Sequence, residues 1–504
     1  MSPALLFHTA RHLKPVQIYH RIWHPAPRVR LSRAPERRHS EGVWTLPIQR
    51  GQAAVGHDRF RFLNQERRVD GWNDSGVPKL WLYNLHYFET PDSAMMSRWV
   101  AENPPGTGNG WEPYPVSLRV ANWIKWALSG AAVPEVCLDS LAVQAAYLER
   151  SVEYHLLANH VLANAKALIY AGAFFDGADA ARWLASGLDI LNEQLAEQVL
   201  PDGGHFERSP MYHSLVLEDL LDLVNLARFY PAAIPERHSA AWRQTAATML
   251  AWLERMCHPD GRIAFFNDAA FGVAPEPRAL TDYAARLGIS VGRTLLGESG
   301  YIRLEANETV VIFDAAPLGP DYQPGHAHAD TLSFELSHRG RRTIVNSGTS
   351  TYEEGPERLR QRGTAAHSTV VVDGVDQSEV WSSFRVARRA RVVSSLSQGA
   401  AFAEAAHDGY RRLSDPVVHH RRLELAAGAL LVTDRLEGRR SHTVELNFHL
   451  HPQAAPAIQL SPNLVREDRP GAWHPEFNVS VPNRVVSGRY HGPLPATFET
   501  VISL

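Results

Sequence analysis

The feature that most limits what this chain can fold into is a change in hydrophobic period near residue 293. Before it, segments such as SLAVQAAYLERSVEYHLLANHVLANAKALIYAGAFF and HSLVLEDLLDLVNLARFY place apolar residues three and four apart, the spacing of one helix face. After it, YIRLEANETVVIFDA, TLSFELSHRGRRTIVNSG and RRLELAAGALLVTDRLEG alternate apolar with polar residues between short turns, as half-buried strands do. A single core cannot serve both textures over 504 residues, so the chain divides into a helical part followed by an antiparallel β part. The expected organisation is an arm or linker over 1–60, rich in Arg, His and Pro, a helical domain over 61–292 and a β domain of stacked sheets over 293–504. Short Gly/Pro breaks between the helical segments imply repeated antiparallel helix pairs.

Charge and composition narrow the function. With 51 basic against 54 acidic residues the chain has no global basic field, so nucleic acid is not an expected partner, and an anionic ligand needs a local basic cleft. Two cysteines, Cys137 and Cys257, do not make a disulfide framework and read as buried thiols. No run approaches the 18 or so apolar residues of a membrane span. The N-terminal patch is broken at once by His8, Arg11, His12 and Lys14, unlike a secretory leader. A cytoplasmic location is the default expectation, with export by another route left open.

Four clusters carry chemistry-bearing residues. Asn159 and His160 stand as a polar pair in an otherwise apolar helical segment, either facing solvent or facing a ligand. In LPDGGHFERSPMYHSL, Pro201–Gly204 read as a turn and Ser209-Pro210 as an N-cap with proline at the first helical position. Tyr212 and His213 then lie in the first turn, where the helix dipole is expected to ease deprotonation of a phenol. The competing reading of Tyr212 is a core aromatic with a wet hydroxyl. Third, His326 and His328 in QPGHAHAD share one face if extended, and Asn346 and His367 begin or end strands that can pair with theirs. Two imidazoles and one oxygen make a reasonable divalent-cation site, zinc first, although Asn is a weaker oxygen ligand than Asp. Fourth, WLYNLHYFET and GWEPYPVSLRVANW bring Asn84, His86, Tyr87, Trp111 and Arg119 as aromatic, amide and cationic groups suited to a sugar. Arg119 either clamps a carboxylate bidentately or caps helix carbonyls. Among carboxylates, Glu112, Asp202, Glu207 and Asp268 form no convincing pair of the kind a glycoside hydrolase needs.

Taken together and in this order, NLHYF, the Asn-His pair, DGGHFERSPMYH, GHAHAD, VNSGTSTY and RGTAAHSTVVVDG resemble the heparinase II/III-like polysaccharide lyases, over most of the chain from about residue 80. The resemblance implies an incomplete (α/α) helical toroid followed by an antiparallel β-sandwich. It implies β-elimination on an anionic, uronate-containing polysaccharide or oligosaccharide. Asn159 and His160 then neutralise the uronate carboxylate, Tyr212 is the acid and potentially also the base, and His326 faces the substrate. Asn84, His86, Tyr87, Trp111, Arg119, Glu207, His213 and Tyr352 are the expected substrate contacts. His328, Asn346 and His367 are the expected metal ligands, with Asn346 standing where the family usually has Asp. A glycoside hydrolase on the same scaffold and a non-catalytic polysaccharide-binding or assembly factor are the alternatives.

Overall fold

A computed structural model of the chain describes residues 3–23, 29, 34–40, 42–56 and 58–504. Much of the Pro/Arg-rich stretch expected to act as a linker, at 24–28 and 30–33, lies outside the described residues. Helices run from Lys79–Tyr87 to Pro277–Arg286, and the strands that follow run from Tyr301–Ala306 to Ala496–Ser503. Helices first and antiparallel sheets second is the architecture that the change of period predicted. No helix among the described residues is long and apolar enough to cross a membrane.

The helical domain is built round large aromatics. Trp81, Trp99, Trp123, Trp183, Trp242 and Trp252 are all fully buried, and side chains of that size dominate the energy of a core. Helices Asn159–Phe174 and Ala178–Gln198 pack closely because glycines stand at their contact. A Cβ on Gly172 would lie 2.4 Å from the Leu184 nitrogen, and one on Gly187 would lie 2.8 Å from a side-chain carbon of Ile169. That close packing fixes the helix whose first residues are Asn159 and His160.

All strand pairs in the β domain are antiparallel. The first sheet has the order Tyr301–Ala306, Thr309–Asp314, Phe334–His338, Arg341–Ile344. Sheets of six and four strands follow, and one apolar core joins all three through Val311, Phe313, Leu336, Leu423, Val432, Leu446 and Phe448. The alternation is plain in Ala429–Glu437, where Leu430, Val432, Asp434 and Leu436 are buried between more exposed neighbours. Asp434 is tolerated there because Arg421 and His419 both bind it.

Three contacts seat the two domains against each other. Trp252, Met256 and Phe266 pack on Tyr301, Val310 and Ile312. Asp202, in the turn at Pro201–Gly204, accepts hydrogen bonds from the backbones of Gly297 and Ser299, each at 3.0 Å, and from the Ser299 hydroxyl.

The third contact comes from the segment expected as an arm, which is more ordered than its sequence suggests. Helices Pro3–Ala10 and Pro15–Ile22 cross the junction, where the buried Gln17 amide donates to the Leu156 carbonyl at 3.2 Å and the Tyr322 carbonyl at 3.3 Å. Just past the arm, at the start of the stretch expected to be helical, stands a hairpin instead, Arg59–Phe62 with Gln65–Arg68, which turns through Leu63 and Asn64, both at positive φ. Asn64 donates to the Glu476 carboxylate and the Phe477 carbonyl of the β domain. The periodicity was too short in each piece to announce either element.

Candidate active site

A cleft of about 1400 Å³ opens between the domains, lined by Asn84, Tyr87, Tyr114, Asn159, His160, Tyr212, His326 and Tyr352 among others. They arrive from four helices and two loops of the β domain, so their meeting is a property of the tertiary fold. Leu157 and Ala158 hold positive φ, an uncommon backbone for residues with side chains. That turn makes Asn159 the first residue of its helix rather than an interior one, and both Asn159 and His160 project into the cleft. The Asn159 side-chain amide makes no hydrogen bond within the described residues. The His160 Nδ1 is 3.2 Å from Glu153 Oε1. Burial works to lower the His160 pKa, but the Glu153 carboxylate prevails and raises it above the ordinary imidazole value.

Tyr212 sits where the N-cap places it. The Ser209 hydroxyl accepts from the Tyr212 backbone N–H at 3.1 Å and itself donates to the Asp268 carbonyl at 2.5 Å. The phenol ring stacks on His326 with centroids 3.9 Å apart, and its hydroxyl is 3.1 Å from that of Tyr352. The expectation that the helix dipole would ease its deprotonation is corrected. Burial, then the neighbouring Tyr352 and the Asp268 charge, push the Tyr212 phenol well above its ordinary value. A dipole effect confined to the first turn is outweighed by loss of water round the anion. Tyr212 is therefore a holder of its proton.

The hub of the site is Asp268, a residue the sequence offered only as an unpaired carboxylate. Its Oδ2 accepts from His326 Nδ1 at 2.9 Å and its Oδ1 from His328 Nε2 at 2.8 Å. Arg358 binds both oxygens, with Nη2 at 2.7 Å from Oδ2. Burial favours the neutral acid, yet Arg358 and the two imidazoles hold the Asp268 carboxyl well below its usual range. An ionised acceptor makes each facing ring nitrogen the donor. In the neutral form of His326 this places the lone pair on Nε2, which lies 3.9 Å from Glu207 Oε2. Glu207 is itself buried, its carboxyl raised by loss of water, with Oε1 3.5 Å from the Asn159 backbone N–H and Oε2 without a partner.

The same logic frees Nδ1 of His328. One ligand atom each from His328, Asp330 and His367 lies within 4.8 Å of the others, and all three residues are buried. His328 Nδ1, both ring nitrogens of His367 and Asn346 Oδ1 are buried without a hydrogen-bond partner. Buried polar atoms of this kind are rare unless something satisfies them. The donor set of two imidazoles, a carboxylate and an amide oxygen fits a divalent cation, with the Asp268–His328 bond supplying the usual outer support of a ligating histidine. The sequence expectation was Asn346 as the oxygen ligand. Its amide nitrogen donates to the Phe265 carbonyl at 2.7 Å, and Asp330 is the carboxylate that joins the two histidines. The signal for Asp330 was present in the sequence, since His326, His328 and Asp330 alternate.

Four expected substrate contacts are instead structural. His86 is fully buried, with Nδ1 accepting from Trp99 Nε1 at 3.0 Å and Nε2 bonded to the Trp72 carbonyl at 2.9 Å. Burial depresses it to about 3, so it is neutral. Arg119 donates to Gln144 and to the carbonyls of His86 and Gly110, and its guanidinium covers the Trp99 ring. Of the two readings of Arg119, the one in which it binds backbone carbonyls is the one observed. Trp111 donates to the Asn103 carbonyl inside the core. His213 bonds the Met249 carbonyl and is likewise pushed down to about 3 by burial. All four carry polar atoms and read as site residues by type, but their partners lie within the helical core. Asn84, Tyr87 and Tyr352 do line the cleft.

The fold and site together define a two-domain protein, a helical domain and an antiparallel β domain closed on a Tyr–His–Asp–Arg cluster. Residues 93–283 match the "Heparinase II/III N-terminus" family and residues 290–495 the "Heparinase II/III-like, C-terminal" family. The chain belongs to the heparinase II/III-like family. It is 29% identical over 322 residues to a heparin-sulfate lyase of Pedobacter heparinus, a match covering 55% of this chain and 47% of that one. The chain thus spans about half the length of the lyases it matches. It is also 28% identical over 384 residues to the FtsZ-localized protein C of Caulobacter vibrioides, covering 69% and 63%. The solved structure of a heparan sulfate lyase mutant from Pedobacter heparinus superimposes with a TM-score of 0.60 at 20% identity, over 88% of this chain and 81% of that one. Such a likeness is one of fold.

Proposed function

We propose that this chain is a polysaccharide lyase that cleaves a uronate-containing polysaccharide by β-elimination. The observation that carries the reading is the stacking of Tyr212, whose phenol burial holds in its protonated form, on His326, whose Nδ1 is held by Asp268. Elimination removes the weakly acidic proton on C5, next to the carboxylate, and expels the oxygen linked at C4. Asn159 and protonated His160 neutralise the carboxylate and strengthen their hold as charge spreads onto it. His326 Nε2 accepts the C5 proton, and Tyr212 donates its own to the departing oxygen. Tyr352 keeps the Tyr212 hydroxyl oriented. A divalent cation, zinc foremost, would be held by His328, Asp330 and His367 with Asn346 beside them. Bound there, it would supply fixed positive charge behind the His328–Asp268–His326 chain.

A hydrolase needs two available carboxyl groups, one as acid and one as base or nucleophile. Asp268 has both oxygens engaged by His326, His328 and Arg358, which removes it from any such pair. The test is to incubate the purified chain with a panel of uronate polysaccharides and follow ultraviolet absorbance of the 4,5-unsaturated product. New reducing ends without that absorbance would instead indicate hydrolysis. Binding with neither would favour the non-catalytic reading.

A further inference from the structure

The cleft wall contains six Arg and Lys side chains, and four of them are already neutralised. Arg50 reaches Glu218, Arg61 reaches Glu66, Lys79 reaches Glu112 and Arg98 reaches Glu102, all within 3.1 Å. Arg21 and Arg385 reach no carboxylate among the described residues, although both line the same cleft. They come from unrelated parts of the chain. Arg21 belongs to the N-terminal helix Pro15–Ile22, and Arg385 to the small hairpin Val380–Trp381 and Arg385–Val386 of the β domain.

Several bonds hold the two segments that carry these cations at the same junction. The Thr9 hydroxyl lies 3.1 Å from Trp381 Nε1, which donates to it, and 3.3 Å from the Val386 carbonyl. Gln17 anchors the following helix across the domain junction. On the other side, Arg358 donates to the Ser383 carbonyl and Arg362 to the Ser382 carbonyl, each at 3.0 Å, so the hairpin loop is tied to the cluster round Asp268. Phe384, next to Arg385, stands 6.0 Å from the His326 ring and 5.3 Å from that of Tyr352. Burial, then the adjacent Arg385 charge, hold the Arg21 guanidinium below its ordinary value. Two like charges lining one cleft without a counter-ion among the described residues raise the energy of the empty cleft, and a bound anion relieves it.

We propose that Arg21 and Arg385 form a clamp for an anionic group, a carboxylate or a sulfate ester, on the sugar adjacent to the one undergoing elimination. The proposal rests on the polysaccharide reading of this cleft and adds a specificity determinant to it. Guanidinium forks suit both oxyanions, and each contributes a charge-assisted pair. The clamp spans the N-terminal helix and the β domain, so it is assembled only when that helix is seated on the junction.

The test uses the full chain with Arg21→Gln, Arg385→Gln and the double variant, each checked for unchanged thermal unfolding. Oligosaccharides of three kinds are compared: uronate without sulfate, sulfated with its carboxyls reduced, and a neutral one. Calorimetric binding is read in the Tyr212→Phe background, and KM and kcat in the chain with Tyr212 intact. Each substitution should weaken binding of the recognised anionic oligosaccharide by about tenfold, raising KM while leaving kcat within about a factor of two. The arm that loses affinity identifies the carboxylate or the sulfate as the recognised group. Salt dependence of binding should flatten in the double variant. Unchanged affinity in the double variant, or an equal loss for the neutral oligosaccharide, overturns the clamp. Absence of unsaturated product with every substrate would count against the lyase reading alone, because the binding arms still report on the arginines.

Discussion

Tyr212 and His326 lie face to face, ring centroids 3.9 Å apart and planes inclined by 29°. One comes from the first turn of the helix Pro210–Phe229 in the helical domain and the other from the loop before the Phe334–His338 strand, so the contact exists only when the two domains are closed on each other. The proposed acid and base are thereby held together in the cleft, with Asn159 and His160 among the other residues lining it.

Replacing Tyr212 by Phe keeps the stacking and deletes the hydroxyl. Loss of a general acid typically reduces rate by about 10²–10⁴-fold, and turnover of Tyr212→Phe is expected to fall by at least that much. Thermal unfolding should be nearly unchanged, since the hydroxyl's hydrogen-bond partner among the described residues is another hydroxyl, that of Tyr352. Full unsaturated-product formation by this variant would remove Tyr212 from the mechanism.

His160 sets an alkaline limit. Its pKa is raised, through the nearby Glu153, despite burial that opposes the charged form. A raised folded value means the imidazolium–carboxylate pair contributes in full below the ordinary imidazole value and is lost as pH climbs through the raised one. Uronate binding should follow the same course, with KM rising as His160 loses its proton. His160→Gln should flatten that alkaline limb of the KM profile and raise KM at neutral pH. A profile identical to that of the unaltered chain would exclude His160 from carboxylate recognition.

Metal content can be read directly. Purified protein should carry about one divalent cation per chain, and His367→Ala should lose it while keeping the helical domain folded. Chelation should lower the midpoint of thermal unfolding, because a ligand bound only to the folded state stabilises it by mass action. Elemental analysis that finds no metal, together with unfolding indifferent to chelator, would make this cluster purely structural.

The two-part fold was legible because helices and strands differ in period, and the difference survives over many residues on either side of the junction. The Ser209-Pro210 start of the Tyr212 helix was legible for a local reason, namely that caps are written within a few residues. The Asp268 hub was not. Its partners His326, His328 and Arg358 lie 58, 60 and 90 positions away, and no local pattern marks such pairings. Two polar residues, Asn267 and Asp268, interrupting the apolar run IAFFNDAAF were the one available hint. The N-terminal helices escaped notice because each is only 8 residues long and is held by tertiary contacts rather than by its own pattern. His86, Trp111, Arg119 and His213 drew attention by residue type, which says nothing of where a side chain points.

Arg119 offers a clean separation between a structural and a substrate role. Its Nε donates to Gln144 at 2.8 Å, Nη1 to the His86 carbonyl at 3.2 Å and Nη2 to the Gly110 carbonyl at 2.8 Å, all of them buried. Arg119→Met preserves much of the stem's packing but leaves those three acceptors without donors. An unsatisfied buried polar group costs about 1–3 kcal/mol, so the helical domain should lose at least about 3 kcal/mol of stability. The substrate cleft is lined by other residues, and the fraction that stays folded should bind uronate with unchanged KM. Chemical unfolding and kinetics at low temperature measure the two quantities on one preparation. A raised KM with unaltered unfolding would return Arg119 to the substrate; the bonding seen here predicts the opposite pattern, a destabilised protein with an intact cleft.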